Sequence, residues 1–117
     1  MTQEPIKNLF PKFIESLKAK GRSPATLLAY RSDLEQLVEY LIKRQRVLPE
    51  QVRPDDLDSF RDTLLADKYT PKSVSRKLNA VKTFFRWMIS ENIITSDVSA
   101  SVAHPKIENT LPKFLSQ

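Results

Sequence analysis

Between Pro71 and Arg86 the chain places five cations, Lys72, Arg76, Lys77, Lys82 and Arg86, and no acid. Helices on ordinary protein surfaces intersperse both signs so that residues four apart can pair. A helix through this stretch turns about 100° per residue. That rotation gathers Lys72, Ser75, Arg76, Asn79, Thr83 and Arg86 on one side with Lys82 on the flank, and Val74, Leu78 and Phe85 on the other. Such a face is equipped to bind a polyanion. A second group is Arg22, Ser23 and Thr26, with Arg31 a turn further on. If Ser23 opens a helix, free N–H groups, the helix dipole and two hydroxyls make a phosphate site there. Ser23 also reads as a simple helix cap, and both roles are compatible with its position.

Residue types suited to bond-breaking chemistry are sparse. There is no cysteine and a single histidine, His104, which stands beside Pro105. Disulfide, thiolate-metal and histidine-cluster chemistry are therefore excluded. None of the tyrosines, Tyr30, Tyr40 and Tyr69, has a histidine neighbour in sequence, and the glycines of a nucleophile elbow are absent. Asp55, Asp56, Asp58 and Asp62 bunch together, but without the glycine-bearing spacing of a calcium loop; an acidic first helical turn accounts for them. We expect no catalytic residue, no cofactor and no metal.

The elements that carry these groups can be read from proline and apolar spacing. Pro follows Ser23, Arg53 and Thr70, each time at the head of an apolar-periodic stretch, which is the signature of a helix start. The predicted helices run near 5–20, 24–45, 54–67 and 71–91. Pro11 is expected to shorten or kink the first, and Gly21, the only glycine, to cap it in a left-handed conformation. A short fifth turn, capped by Ser96, is expected through Val98 and Val102. No period-two strand pattern occurs. The expected fold is all-α, a compact bundle of four main helices plus a short fifth. At 117 residues it is one domain. We place that domain at 1–103 and read 104–117, with Pro105 and Pro112 and no apolar stripe, as a linker toward a further domain; an ordinary frayed tail is the other reading. No apolar run is long enough for a membrane span and Met1 to Asn8 is polar, so a cytoplasmic protein without a membrane partner is expected.

Charge is segregated along the chain. Residues 1–32 carry six bases against two acids, 33–67 five against nine, and 68–117 eight against three. A basic face turned to a polyanion and an acidic face turned away fit this pattern. Duplex DNA accounts for the missing acids of the fourth helix: Lys and Arg neutralise phosphates, while Ser, Asn and Thr hydrogen-bond the backbone or reach base edges in the major groove. A helical protein-interaction module that docks an acidic partner through the same helix is the alternative. A complete small enzyme is the third possibility, and it would need turnover from this chain alone.

Two strings carry a family resemblance. The stretch from Gly21 to Leu34, with Ser23, Thr26, Tyr30, Asp33 and Leu34 at its key positions, resembles the opening of the core-binding domain of tyrosine recombinases, the Xer and phage-integrase family. The stretch from Ser73 to Trp87, with Arg76, Leu78, Ala80, Val81, Phe84 and Phe85, is similar to a later helix of that domain. Leu111-Pro112-Lys113 resembles the linker before the catalytic domain in Xer-type members. The resemblance implies a SAM-like bundle that clamps one side of a recombination site, with the second and fourth helices toward double-stranded DNA. It implies contacts at Ser23, Thr26, Arg76 and neighbouring polar positions of the fourth helix, and contact with other recombinase protomers. The family's catalytic Arg, Lys, His and Tyr belong to a second domain, so no tyrosine of this chain takes that role and no small-molecule substrate is implied.

Overall fold

The structure, a computed structural model, describes residues 5–105. Within them the chain forms a 3-10 turn at Ile6–Leu9, then helices α1 (Phe10–Ala19), α2 (Pro24–Lys43), α3 (Pro54–Ala66) and α4 (Pro71–Ser90), with a second 3-10 turn at Pro49–Gln51 before α3. No strand occurs among the described residues. The bundle is all-helical, as its apolar spacing requires.

Helix starts follow the proline signals. Ser23 and Thr70 cap α2 and α4, their hydroxyls accepting the N–H of Thr26 at 3.2 Å and of Ser73 at 3.1 Å. Arg53 has no capping side chain; instead Asp56, three residues on, reaches back to accept the Arg53 N–H at 2.8 Å. The same carboxylate accepts Arg44 Nε at 2.7 Å and Arg46 Nε at 3.0 Å. It thereby fixes the end of α2 against the start of α3.

The first helix begins later than the sequence predicts. Pro11 lies in the first turn of α1, and its ring would clash with a carbonyl one helical turn earlier, so Ile6–Leu9 winds as a tighter turn instead. The expected short fifth element is present as turns and not as a helix. Residues 97–102 make two successive turns, Ala100 N–H to Asp97 O at 3.2 Å and Val102 N–H to Ser99 O at 3.1 Å. Asp97, not Ser96, is the capping residue, accepting the Ser99 N–H at 2.9 Å. Its carboxylate also takes the Ser99 hydroxyl, which closes a local turn in place of a helix.

The core is built from one face of each helix: Phe13 and Leu17 of α1, Leu34, Leu37 and Leu41 of α2, Leu57, Phe60 and Leu64 of α3, and Val74, Leu78, Val81, Phe84, Phe85 and Met88 of α4. Phe84 meets Phe10 and Phe13 edge-on at 5.5 and 5.1 Å and stacks on Trp87 at 6.0 Å. Ile94 and Val102 bring the chain after α4 back onto this core.

Candidate nucleic-acid interface

Helix α4 buries its apolar stripe and leaves Lys72, Arg76, Asn79 and Arg86 exposed along the opposite side, with Ser75, Lys82 and Thr83 half-buried at the margins. The two helices that bear the predicted site run past each other in opposite directions. Gln36 of α2 donates to the Tyr69 hydroxyl just before α4 at 3.1 Å, Asp33 meets Arg76 and Lys77, and Phe13 touches both Tyr30 and Trp87. The N-terminus of α2, with Arg22, Ser23 and Thr26, thus lies toward the Arg86 end of α4. There Ser23 and Thr26 share a hydroxyl hydrogen bond at 3.0 Å, and Arg22 is exposed. Among the described residues Arg22, Lys72, Asn79 and Arg86 make no side-chain hydrogen bond or ion pair, so their donors face solvent.

Besides Arg76, Ser23 and Thr26, three members of the predicted set are engaged within the protein. Arg31 lies about 140° round α2 from Thr26. Its Nε donates to Glu35 at 3.2 Å, and it lines a groove of about 540 Å³ with Lys7, Ile14, Val38 and Ile42, on the side of α2 that faces α1. Lys82 Nζ donates to the Val102 carbonyl at 2.6 Å, and Ser75 Oγ is hydrogen-bonded to His104 Nδ1 at 2.7 Å. Arg61 of α3 adds a bond to the Ala103 carbonyl at 2.9 Å. Three side chains from two helices therefore strap residues 102–104 along one edge of the exposed α4 face. Partial desolvation of the ring and then the Lys82 ammonium push the pKa of His104 down from its ordinary value. Beyond Pro105 the predicted linker, including Leu111-Pro112-Lys113, lies outside the described residues.

Lys77 belongs to the cationic run in sequence but not to the exposed face in space. It is 6% exposed, donates to Asp33 Oδ1 at 3.0 Å and sits 5.0 Å from the centre of the Tyr69 ring. The acid missing from the run is supplied by Asp33, on a different helix. Asp33 accepts Arg76 Nη2 at 3.1 Å through the same oxygen. In sequence this carboxylate stands out only as a motif position; an acid inside the apolar stripe of α2 is the available sign that a buried cation waits for it.

Other titratable clusters are explained by the fold. Asp58 and Asp62 pair with Arg61 at 3.2 and 3.0 Å, Asp56 with the two arginines already described, and Asp55 is exposed. No group of three or more His, Cys, Asp or Glu that could hold a metal occurs among the described residues. Tyr40 packs on Phe60 at 5.5 Å and its hydroxyl accepts Arg44 Nη1 at 3.4 Å. No described helix is long and apolar enough to cross a membrane.

Comparison with known proteins agrees with this geometry. The profile of the family described as phage integrase, N-terminal SAM-like domain, matches residues 10–92. A tyrosine recombinase XerC of Chlorobaculum parvum is 33% identical over 112 residues, covering 90% of this chain and 33% of that protein. A tyrosine recombinase XerD of Proteus mirabilis is 34% identical over 116 residues, covering 98% of this chain and 37% of that protein. The chain thus spans about a third of the length of these curated relatives. A crystal structure of a lambda integrase dimer bound to a COC' core site superposes with a TM-score of 0.77 at 16% identity, over 90% of this chain and 37% of that one. At that identity the superposition speaks for the fold, while the family match over most of the helical bundle settles descent: the chain belongs to the phage-integrase N-terminal SAM-like domain family of the tyrosine recombinases.

Proposed function

We propose that this chain binds duplex DNA at a recombination half-site, as the N-terminal clamp of a Xer- or integrase-type tyrosine recombinase acting in the cytoplasm. The observation that carries this reading is the exposed side of α4, where Lys72, Arg76, Asn79 and Arg86 stand in a row without an exposed acid among them, beside the capped N-terminus of α2. Lys72, Arg86 and Arg22 have the reach to neutralise phosphates. At the start of α2 Pro24 has no N–H and Ser23 already accepts the N–H groups of Thr26 and Leu27, so the Ala25 N–H and the Ser23 and Thr26 hydroxyls are what a phosphate would meet there. Residues 1–103 form the DNA-binding domain in this reading, and 104–117 lead toward a catalytic domain that cuts and rejoins the strands. These residues supply grip and register, not catalysis, and require no cofactor. Other protomers of the recombinase are the expected protein partners.

The test is a salt titration of duplex binding by fluorescence anisotropy, with an acidic protein as control polyanion. We expect binding that weakens steeply with salt and a control that does not bind. Lys72→Glu with Arg86→Glu leaves the fold intact and makes the slope of log affinity against log salt shallower by roughly 0.9 for each phosphate that the variant no longer neutralises. Equal binding of the acidic protein, or duplex binding indifferent to the double reversal, favours the interaction-module reading instead.

A further inference from the structure

Of the exposed cations on α4, Arg76 alone is tethered to a carboxylate among the described residues, and the tether has an unusual charge balance. Asp33 is 4% exposed and accepts two donors on one oxygen, Lys77 Nζ at 3.0 Å and Arg76 Nη2 at 3.1 Å. Lys77 is itself 8% exposed at the side chain and pairs with no other acid among the described residues, so it and Asp33 neutralise each other inside the protein. The Arg76 side chain is 62% exposed. Its charge is therefore surplus to the buried pair, although its orientation is set by it. An arginine paired one to one with an exposed acid is different: Arg31 and Glu35, 64% and 53% exposed, largely cancel as seen from outside.

A phosphate needs only a cation with reach, and long untethered side chains such as Lys72 and Arg86 suit it. Reading a base demands more. The guanidinium fork must meet O6 and N7 of a guanine in one plane, and a fork fixed beforehand loses less freedom on doing so. Only one donor group of Arg76 is engaged by Asp33, leaving the solvent-facing part of the fork available. We infer that Arg76 is the residue on this face that reads a guanine edge in the major groove, with Asp33 as its positioning residue and Lys77 as the counter-charge that keeps Asp33 from cancelling it. This rests on the DNA-binding reading above and adds base discrimination to it.

The experiment selects duplexes from a randomised pool with the wild-type chain, then compares variants on the enriched sequence by anisotropy. We expect one guanine position where substitution weakens binding about tenfold or more. Replacing that guanine by 7-deazaguanine, which lacks the N7 acceptor, should weaken wild-type binding in the same direction. Arg76→Lys keeps the charge and removes the fork, so it should flatten the preference at that position while keeping pool binding and its salt slope. Asp33→Asn alone strands a buried ammonium and risks the fold. The double variant Asp33→Asn with Lys77→Met removes the pair together, leaves net charge unchanged and frees Arg76; it should bind the pool with the same salt slope and lose most of the guanine preference. Pool binding without a guanine requirement, or a requirement that survives Arg76→Lys, overturns the assignment to Arg76 and leaves DNA binding standing. Preference retained in a folded double variant overturns the role of Asp33. No pool binding even at low salt overturns both this inference and the function on which it rests.

Discussion

Asp56 is a carboxylate almost without solvent, shared by two guanidiniums and a backbone N–H. Burial alone pushes its pKa up; the Arg53 N–H and the Arg44 and Arg46 guanidiniums outweigh burial and hold it below the usual carboxylate range. A folded pKa below the unfolded value of about 3.9 means that the charged, paired form stabilises the fold at neutral pH. That contribution is lost as pH falls through the folded pKa. Asp56→Ala should cost about 2 kcal/mol at pH 7 in urea unfolding, because it strips the partner from Arg44, Arg46 and the Arg53 N–H while the guanidiniums keep access to water, and the gap to wild type should narrow in acid. An equal gap at both pH values would show that packing, not charge, is what the substitution removes. In sequence Asp56 is one of four bunched acids that a helix's first turn explains, and nothing local distinguishes it from Asp55. Its partners Arg44 and Arg46 come from the preceding loop, and only the folded chain brings them in. The Asp33, Arg76 and Lys77 group is hidden for the same reason, its members lying more than 40 residues apart.

The four helices end in one way. After α1 the N–H of Gly21 bonds to Lys18 O and that of Arg22 to Leu17 O, and the same pair of bonds recurs at Gln45 and Arg46, Lys68 and Tyr69, and Asn92 and Ile93. In each case the first residue of the pair takes a positive φ: 82° at Gly21, 65° at Gln45, 73° at Lys68 and 61° at Asn92. Only one of the four is the glycine that this conformation favours. Lys68→Gly should therefore raise stability by roughly 0.5 kcal/mol, the relief of left-handed strain exceeding the extra freedom glycine gains when unfolded. Gly21→Ala, where an added Cβ meets nothing within 4 Å, should lower it by about 1 kcal/mol through backbone strain alone. Paired urea titrations give both signs. The asymmetry between starts and ends explains what is legible. Helix starts announce themselves through Ser23-Pro24 and Thr70-Pro71, and the exposed face of α4 through its period. The ends at Gln45 and Lys68 have no residue-type signature, so apolar spacing alone extends α2 and α3 one or two residues too far. The short fifth element stays at the level of turns because Asp97 spends its carboxylate on the Ser99 N–H and hydroxyl, and Ser96 does not act as its cap.

Across the whole molecule the bundle divides its labour between α2 with α4, which carry the proposed DNA face, and α1 with α3, which back them. Periodicity and charge foretell this face. They do not foretell the strap at residues 102–104, because its bonds run from Arg61, Ser75 and Lys82 to backbone carbonyls and to a lone histidine. Helices α1, α2 and α4 meet in a cluster of rings, and there the chain holds its one tryptophan. Trp87 stacks on Phe84 with planes 13° apart, lies 5.5 Å from Phe13 of α1, and directly follows Arg86 of the exposed face. Phe13 in turn meets Tyr30 of α2 at 6.0 Å. The protein is thus born with a single optical label at the junction of three helices. If the bundle melts as one unit, indole emission and far-ultraviolet ellipticity should change at the same urea concentration. An emission change that comes first would reveal α1 peeling away while the other helices persist, a sequence of events that could be watched without attaching any dye.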